Sequence, residues 1–264
     1  MLMEVKKEFK VAFLSIKYSL MREMLNKTTF LTSILFMLLN NASFIIQWVV
    51  LYSIKDSVGG YTFKQVLLLW GLAAGTYGFS RFFFKKAFSL SETINSGGLD
   101  TYLVQPKNVL ISSITHTIEP SAIGDLIYGY IMLFIFGFSI KSFLLFTLFC
   151  ITGGLILVSI SIIVSSLSFW FGNTEMVADS INNIMVNFAT YPDGIFKGFC
   201  KVMLYTIIPV GLADYIPIHV MTKFDLFNFL LIIGITIVLI VLAFVIFYKG
   251  LKRYSSSSLM NVRM

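Results

Sequence analysis

The sequence predicts an all-α integral membrane protein with six transmembrane helices, and three observations support this fold class. First, hydrophobic residues make up 57% of the 264 residues, charged residues only 12%, and the mean hydropathy is +0.87. Soluble domains carry about 25% charged residues, so this chain has too few charges to cover a water-exposed surface. Second, apolar stretches long enough to cross a bilayer recur along the chain. Third, basic residues gather before the first stretch, between the second and third, and after the last.

The predicted organisation is a single transmembrane domain over residues 1–264. Its spans are expected near residues 29–54, 63–84, 120–140, 143–170, 174–192 and 224–248. Basic segments remain on the cytoplasmic side of a membrane, so the N- and C-termini are both predicted to be cytoplasmic. The Lys-, Phe- and Ile-rich composition is typical of the cytoplasmic membrane of a bacterium.

An interfacial helix is predicted before the first span, over residues 4–22. Its apolar residues recur at helical spacing: Val5, Phe9, Phe13, Ile16 and Leu20. Lysines fall on the remaining faces, so one side of the helix suits acyl chains and the other suits anionic headgroups. A solvated helix that simply precedes the first span is the alternative.

Polar side chains occur at helical spacing in two predicted spans. Asn40 and Gln47 are seven residues apart in the first span, and Asn183 and Asn187 are four residues apart in the fifth. Amide side chains within a membrane either hydrogen-bond to a neighbouring helix or face a water-filled path. The sequence leaves both interpretations open.

Glycines in two predicted spans indicate packing and bending. Gly71 and Gly75 form a small-xxx-small pattern in the second span, which favours close approach of another helix. The fourth span is too long for a perpendicular helix. It is therefore expected to tilt, to project from the membrane, or to bend at Gly153–Gly154.

Acidic residues lie at the start of the third predicted span. Glu119 is at its boundary and Asp125 is inside it. A carboxyl group at membrane depth is costly unless it faces protein or water, so these two residues form a candidate intramembrane polar site. With His116 they suggest a proton relay, but Asp125 is equally suited to bond Tyr128 or a serine on another helix.

Two irregular regions interrupt the pattern of spans. Between the second and third spans, an amphipathic helix is predicted over Phe88–Asn95, with a break at Gly97–Gly98 and an extended segment that ends at Pro106. This loop is either a cytoplasmic docking element or a plain connector. Residues 174–220 do not hold two clean spans, so one span followed by a re-entrant or interfacial helix is predicted there.

The sequence lacks the motifs of three catalytic classes. It contains no G-x-x-x-x-G-K-[ST] phosphate loop, no H-E-x-x-H zinc motif and no G-x-S-x-G nucleophile motif. The chain is therefore expected to be non-catalytic and to bind no metal itself. Nucleic-acid binding is a poor explanation of the net charge of +7, because membrane orientation already accounts for the basic residues.

Three sequence blocks are similar to those of a known family. Residues 94–106 read I-N-S-G-G-L-D-T-Y-L-V-Q-P, which fits the pattern I-x-x-G-x-L-D-x-Y-L-x-x-P. The other blocks are Gly60–Thr62 before the second span, and Phe188–Pro192 followed by Ile195–Phe196 and Ile208–Pro209. With these blocks in this order, the chain resembles the six-span permease subunits of ABC-2 type ATP-binding-cassette transporters. That branch often has Arg where this sequence has Gln105.

The resemblance implies a fold and a set of partners. It implies an N-terminal interfacial helix, a cytoplasmic coupling helix between spans two and three, and a re-entrant helix between spans five and six. Such permeases work in membrane lipid as homodimers or heterodimers with a second permease, bound to separate ATPase subunits. ATP and Mg then belong to the partner ATPase, no cofactor is bound by this chain, and no nucleic acid is involved.

The resemblance also implies roles for individual residues. The candidate ATPase-coupling residues are Glu92, Gly97, Gly98, Asp100, Tyr102 and Pro106. The candidate substrate path is assigned from the polarity of the residues and consists of Asn40, Gln47, Asn183 and Asn187. The implied activity is efflux of an amphipathic or hydrophobic compound, such as a drug, peptide or lipid.

Two other functions remain open from the sequence. A self-sufficient, ion-coupled secondary transporter would use Glu119 or Asp125 to carry the coupling ion. A membrane immunity or scaffold protein without transport activity would tolerate substitution of the polar residues in the first span.

Overall fold

The computed structural model describes the backbone of residues 2–255 and the side chains of residues 10–255. Within that range the secondary structure is helical, apart from an isolated bridge between Val58 and Tyr61, so the predicted all-α class is confirmed. The helices are α1 (Leu2–Glu23), α2 (Lys27–Tyr52), α3 (Phe63–Phe84), α4 (Leu90–Asn95), α5 (Asp100–Leu103), α6 (Val109–Thr115), α7 (Ala122–Gly137), α8 (Ile140–Ser166), α9 (Ser168–Phe171), α10 (Glu175–Ala189), α11 (Gly198–Thr206), α12 (Ile216–Thr222) and α13 (Leu226–Leu251). The side chains of Val5 and Phe9, assigned above to the lipid-facing side of α1, lie outside the described residues.

Side-chain caps fix where the long helices begin. Asn26 Oδ1 accepts a hydrogen bond from the Thr29 N–H at 3.2 Å before α2, and Ser139 Oγ accepts one from the Ser142 N–H at 3.0 Å before α8. Before α13, Asp225 Oδ1 accepts from a backbone N–H at 3.1 Å. Each cap satisfies an N–H group that has no partner within its helix. The caps therefore explain why these helices start within a few residues of the predicted positions.

Helix α3 is the centre of the bundle. It packs against α2, α7, α8 and α10. The most apolar window of the helix that continues from Phe63 to Asn95 is 72% buried, against 11% for α2 and 17% for α13. Helices α2 and α13 therefore turn most of their apolar surface away from the chain, as helices do when they face lipid or a partner.

The expected close approach of helices at the glycines of α3 is confirmed. A Cβ atom added at Gly71 would lie 2.6 Å from the Cβ of Met132 on α7. On the facing helix, a Cβ at Gly129 would lie 2.6 Å from the carbonyl oxygen of Gly71. The backbones of α3 and α7 are thus close enough for van der Waals contact only because neither helix carries a side chain at these positions.

The segment between α3 and α7 is more helical than the sequence predicts. A 3₁₀ turn at Lys85–Ser89 and helix α4 form the expected helical element. The predicted extended segment before Pro106 is wrong, because α5 forms there, with N–H groups of Tyr102 and Leu103 hydrogen-bonded to the Leu99 carbonyl at 2.9 and 3.0 Å. Short-range backbone bonds of this kind leave no periodicity that a sequence pattern reveals.

Four helical stretches among the described residues are long and apolar enough to cross a membrane. They are α2, α3 continued to Asn95, α8 continued to Phe171, and α13. The predicted third span corresponds to α7, with 16 residues, and the predicted fifth corresponds to α10, with 15. Both are shorter than the roughly 20 residues of an ordinary span, so helix length alone does not give six spans. In the fourth span, α8 is continuous through Gly153–Gly154 and ends at Ser166.

The bundle has two ends, a basal end and a distal end. The basal end comprises α1, residues 85–117 and residues 252–255, while the distal end comprises residues 53–62 and 190–222. At the distal end, α11 and the helical stretch Gly211–Thr222, which opens with a π turn at Gly211–Tyr215, are bent by 74° about a short break that contains Pro209. Proline favours such a break because it has no N–H to donate.

A buried carboxylate holds the distal end together. Asp193 lies 3.0 Å from the Lys201 ammonium and accepts a hydrogen bond from the Tyr205 hydroxyl at 2.9 Å. The His219 Nε2 atom is 3.8 Å from the same carboxylate and 3.3 Å from the Tyr61 hydroxyl. Asp193 therefore connects the two arms of the bent pair with the loop before α3.

Candidate functional site: a polar cavity and a basal segment

A cavity of about 270 Å³ lies among α2, α3, α7, α8, α10 and the π turn. Asn40 and Gln47 of α2 and Asn187 of α10 line it, and all three side chains are exposed, so they form its mouth. Asn183, the fourth residue of the expected path, is also exposed but lies one turn before Asn187 and does not line the cavity. The tertiary fold thus brings amides from helices more than 130 residues apart in sequence to one opening.

Asp125 lies in the cavity wall and is 4% exposed. Its Oδ1 atom accepts a hydrogen bond of 2.6 Å from the Nδ2 group of Asn41 on α2. Neither Tyr128 nor a serine, the two partners considered from the sequence, takes this position. Asn41 therefore orients the carboxylate and attaches α7 to α2.

Glu119 does not line the cavity. It lies 3.7 Å from the Arg81 guanidinium, which also stacks 4.2 Å from the centre of the Phe88 ring. His116, the third member of the proton relay considered from the sequence, contacts Tyr102 instead, with Nδ1 2.9 Å from the hydroxyl. The three residues thus make separate contacts. Burial lowers the pKa of His116 and favours its neutral form.

A second acid in the cavity was missed by the sequence analysis. Asp214, in the π turn, lines the cavity and is 3% exposed. It lies between apolar residues, the same signal that singles out Asp125, but it belongs to a stretch that the sequence shows only as irregular. Thr76 of α3, 1% exposed, also lines the cavity.

The basal segment, residues 85–117, presents some of the expected coupling residues and engages others within the chain. Glu92 and Pro106 are exposed. Asp100 accepts a hydrogen bond of 2.9 Å from the Tyr254 hydroxyl, which attaches the segment to the end of α13. Tyr102 is half-buried and uses its hydroxyl to contact His116.

The two glycines after α4 shape a tight turn. Gly97 has φ of +77°, a left-handed conformation that L side chains adopt at a cost. The N–H of Gly98 then bonds to the Thr93 carbonyl at 2.9 Å and closes the helix end. This turn connects α4 to α5.

An exposed apolar pair in the basal segment was also missed. Leu103, the last residue of α5, is 43% exposed, and Val104, the next residue, is 84% exposed. The residues predicted from the sequence to matter here are the polar ones and those that shape the turn. The sequence contains a signal for this pair, because two apolar residues lie beside polar residues and a proline in a loop.

Buried hydroxyl groups link the basal segment to the helix that lines the cavity. Ser91 Oγ lies 2.6 Å from Ser168 Oγ, and Ser168 Oγ lies 2.7 Å from the Thr174 hydroxyl. Thr174 directly precedes α10, and α10 is further held to α8 by the Ser161 hydroxyl, which donates to Asn182 Oδ1 at 2.6 Å. These contacts connect α4 to the start of α10, whose other end carries Asn187.

The family model described as "ABC-2 family transporter protein" matches residues 35–258 of the chain. The matched range contains the cavity and the whole basal segment. No curated protein and no solved structure matches the chain.

Proposed function

Because the chain belongs to the ABC-2 family of transporter membrane proteins, we propose that it is the permease subunit of an ABC exporter for an amphipathic or hydrophobic compound. The observation that carries this proposal is the cavity, in which amides from the first and fifth proposed spans converge above buried polar groups. An opening of this kind within an apolar bundle suits a solute that is partly polar and partly apolar.

The exposed polar face of α10 supports pairing with a second permease. Ser180, Asn183 and Asn187 are exposed on a helix that packs on α8 with its other side. Amide groups in contact with hydrocarbon are costly, whereas contact with another polar helix or with water satisfies them. In the proposed homodimer or heterodimer, α2 and α10 of each permease border the substrate path.

The proposed topology has six spans, with α7 and α10 as short third and fifth spans. The bent pair of α11 and Gly211–Thr222 then forms a re-entrant element at the outer surface, and α1 lies on the inner surface. Basic residues favour the cytoplasmic side for the basal end, among them Lys85, Lys86 and Lys107. Both termini are then cytoplasmic, in the plasma membrane of a bacterium.

Energy is proposed to come from separate ATPase subunits that bind ATP and Mg, with this chain non-catalytic. The exposed apolar pair Leu103–Val104, together with Glu92 on α4, forms the proposed docking surface. Motion of the ATPase would reach α10 through the Ser91–Ser168–Thr174 contacts and α13 through Asp100–Tyr254. Nucleotide binding shifts the permease between conformations only as far as the docked ATPase interacts differently with each.

The test is substitution at the docking surface. We expect Val104→Asp to reduce co-purification of the ATPase about tenfold or more, because a charge placed in an apolar contact centre removes a dominant share of binding energy. The permease is affinity-purified from mild detergent, and the ATPase is quantified by mass spectrometry.

Ser57→Asp is the matched control, since it adds the same charge to an exposed position at the distal end. It should leave ATPase recovery and ATP-driven transport in proteoliposomes unchanged. Full ATP-driven transport by the Val104→Asp variant would contradict the docking surface. Transport by the chain alone, driven by an ion gradient, would contradict the permease proposal itself.

A further inference from the structure

Two acids in the cavity wall form no salt bridge with any of the described residues. Asp125 and Asp214 are 4% and 3% exposed, and no Lys, Arg or His lines the cavity in the part of the chain that the structure describes. Arg81 on α3 acts electrostatically on Asp125 from beyond salt-bridge distance, and its ion pair is with Glu119 while its guanidinium stacks on Phe88. A buried carboxylate without a positive partner is costly, whereas a cation beside it offsets that cost.

One oxygen of each carboxyl group also lacks a hydrogen bond. Asn41 occupies Oδ1 of Asp125, but Oδ2 has no partner among the described residues, and neither has Oδ1 of Asp214. The Thr76 hydroxyl, buried in the same wall, has no partner either. Nearly all buried polar groups in proteins are satisfied, so unpartnered oxygens on three sides of one cavity point to a ligand with positive charge or donors.

The rest of the wall is aromatic and apolar. Phe44 and Trp70 form a ring pair with centres 5.3 Å apart, and Tyr77 lines the cavity beside them. Aromatic faces attract organic cations through their negative π surface. A hard metal ion fits this cavity poorly, because such an ion requires several converging oxygen ligands. An aromatic and apolar wall supplies few of them.

We propose that the cavity binds a hydrophobic organic cation, with its positive centre near Asp125 and Asp214 and its apolar body against Phe44, Trp70 and Tyr77. This inference rests on the proposed function, since it names the substrate class of that transporter. Asn40, Gln47 and Asn187 at the mouth then pass the cation from the path between permeases to the acidic wall. Asn41 acts as a positioning residue that holds the Asp125 carboxylate toward the ligand.

The first test compares two probes of the same shape on the full-length chain in lipid nanodiscs. Benzyltrimethylammonium is the cation, and neopentylbenzene is its uncharged carbon isostere. Isothermal titration calorimetry should give affinity for the cation at least about tenfold above that for the isostere, as expected for a ligand held by charge-assisted contacts. Equal affinities would overturn the proposal, because they would mean that the cavity selects shape without charge.

The second test uses Asp214→Asn and Asp125→Asn. Each substitution should weaken binding of the cation about tenfold and leave the weak binding of the isostere unchanged. A general loss of folding would instead weaken the binding of both probes. Asp56→Asn, at an exposed distal position, is the matched control. Unchanged cation affinity in both cavity variants would overturn the proposal.

These binding measurements use the chain without its ATPase, so they are separate from the test of transport. If the cavity binds both probes equally but the permease with its ATPase still transports, the assignment of an organic-cation substrate is wrong and the permease function stands. If the cavity binds the cation selectively but no ATP-driven transport occurs, the cation site stands and the exporter proposal is wrong.

Discussion

Gly129→Val is expected to prevent stable folding of the bundle. A Cβ atom at this position would lie 2.6 Å from the Gly71 carbonyl oxygen and 3.3 Å from the backbone of Gly75. These atoms belong to the central helix and have no flexible side chain that can move aside. Separation of α3 from α7 would be required, at a cost of about 3 kcal/mol or more. Fluorescence-detected size-exclusion chromatography in detergent should show loss of the monodisperse peak.

The matched control is Gly234→Val on α13. No heavy atom lies within 4 Å of a Cβ built at Gly234. The substitution adds the same side chain to an exposed helical position, and the elution peak and melting temperature should remain within error of the unmodified chain. If Gly129→Val elutes and melts like Gly234→Val, the close packing of α3 on α7 is wrong.

Asp193→Asn is expected to loosen the distal end. The substitution keeps the shape of the side chain but removes the charge that Lys201 and the Tyr205 hydroxyl contact at 3.0 and 2.9 Å. Hydrogen bonds to a charged group contribute about 2 kcal/mol each. Lys201 is 45% exposed, so water recovers part of its loss. Hydrogen exchange of residues 190–222 should accelerate, with little change at the basal end.

Asp56→Asn serves as the control here too, because Asp56 is an exposed acid of the distal loop. Its effect on hydrogen exchange should be close to zero. Equal exchange in the Asp193 and Asp56 variants would show that the buried carboxylate does not stabilise the bent pair.

The contribution of Asp193 should depend on pH only in the acid range. Burial alone would raise the pKa of Asp193, but hydrogen bonds from the surrounding side chains outweigh burial and hold the pKa well below its usual range. The charged groups that face it are Lys201 and, when protonated, His219, and the hydroxyls are those of Tyr61 and Tyr205.

A carboxyl group with a lowered pKa stabilises the fold fully above its unfolded pKa of about 3.9 and loses this effect as the pH falls toward its folded pKa. The difference in unfolding free energy between the unmodified chain and Asp193→Asn should therefore be constant from about pH 7.5 to pH 5 and shrink below about pH 4. Thermal melts followed by circular dichroism measure it. A difference that varies between pH 7.5 and pH 5 would contradict the assignment of the effect to the Asp193 carboxylate.

Helix positions and membrane character were readable from the sequence because they depend on neighbouring residues. The start of α3 at Phe63 follows from the apolar run and from Thr62, whose N–H donates to Gln65 Oε1 at 2.8 Å. The spacing of Gly71 and Gly75 likewise predicts close packing in any arrangement. The resemblance to ABC-2 permeases, drawn from short motifs, is confirmed by the family match over residues 35–258.

The contacts within the candidate site were not readable in the same way. Asp125 was noticed as an unusual acid, but its partner Asn41 lies 84 residues away on another helix. Asp214 carries the same signal within a stretch whose π turn and bend have no regular periodicity. Helix α5 was missed because four residues make too short a pattern.

The sequence by itself determined that this protein is a helical membrane protein of the ABC-2 family, because hydropathy, charge asymmetry and motif order are local properties of the chain. Only the tertiary structure decided which polar residues share a space. It placed Asn40, Gln47 and Asn187 at one opening, set Asp125 and Asp214 in one wall, and turned Leu103 and Val104 outward. Those relations depend on how helices cross and rotate about one another, and side chains distant along the chain set those angles by packing.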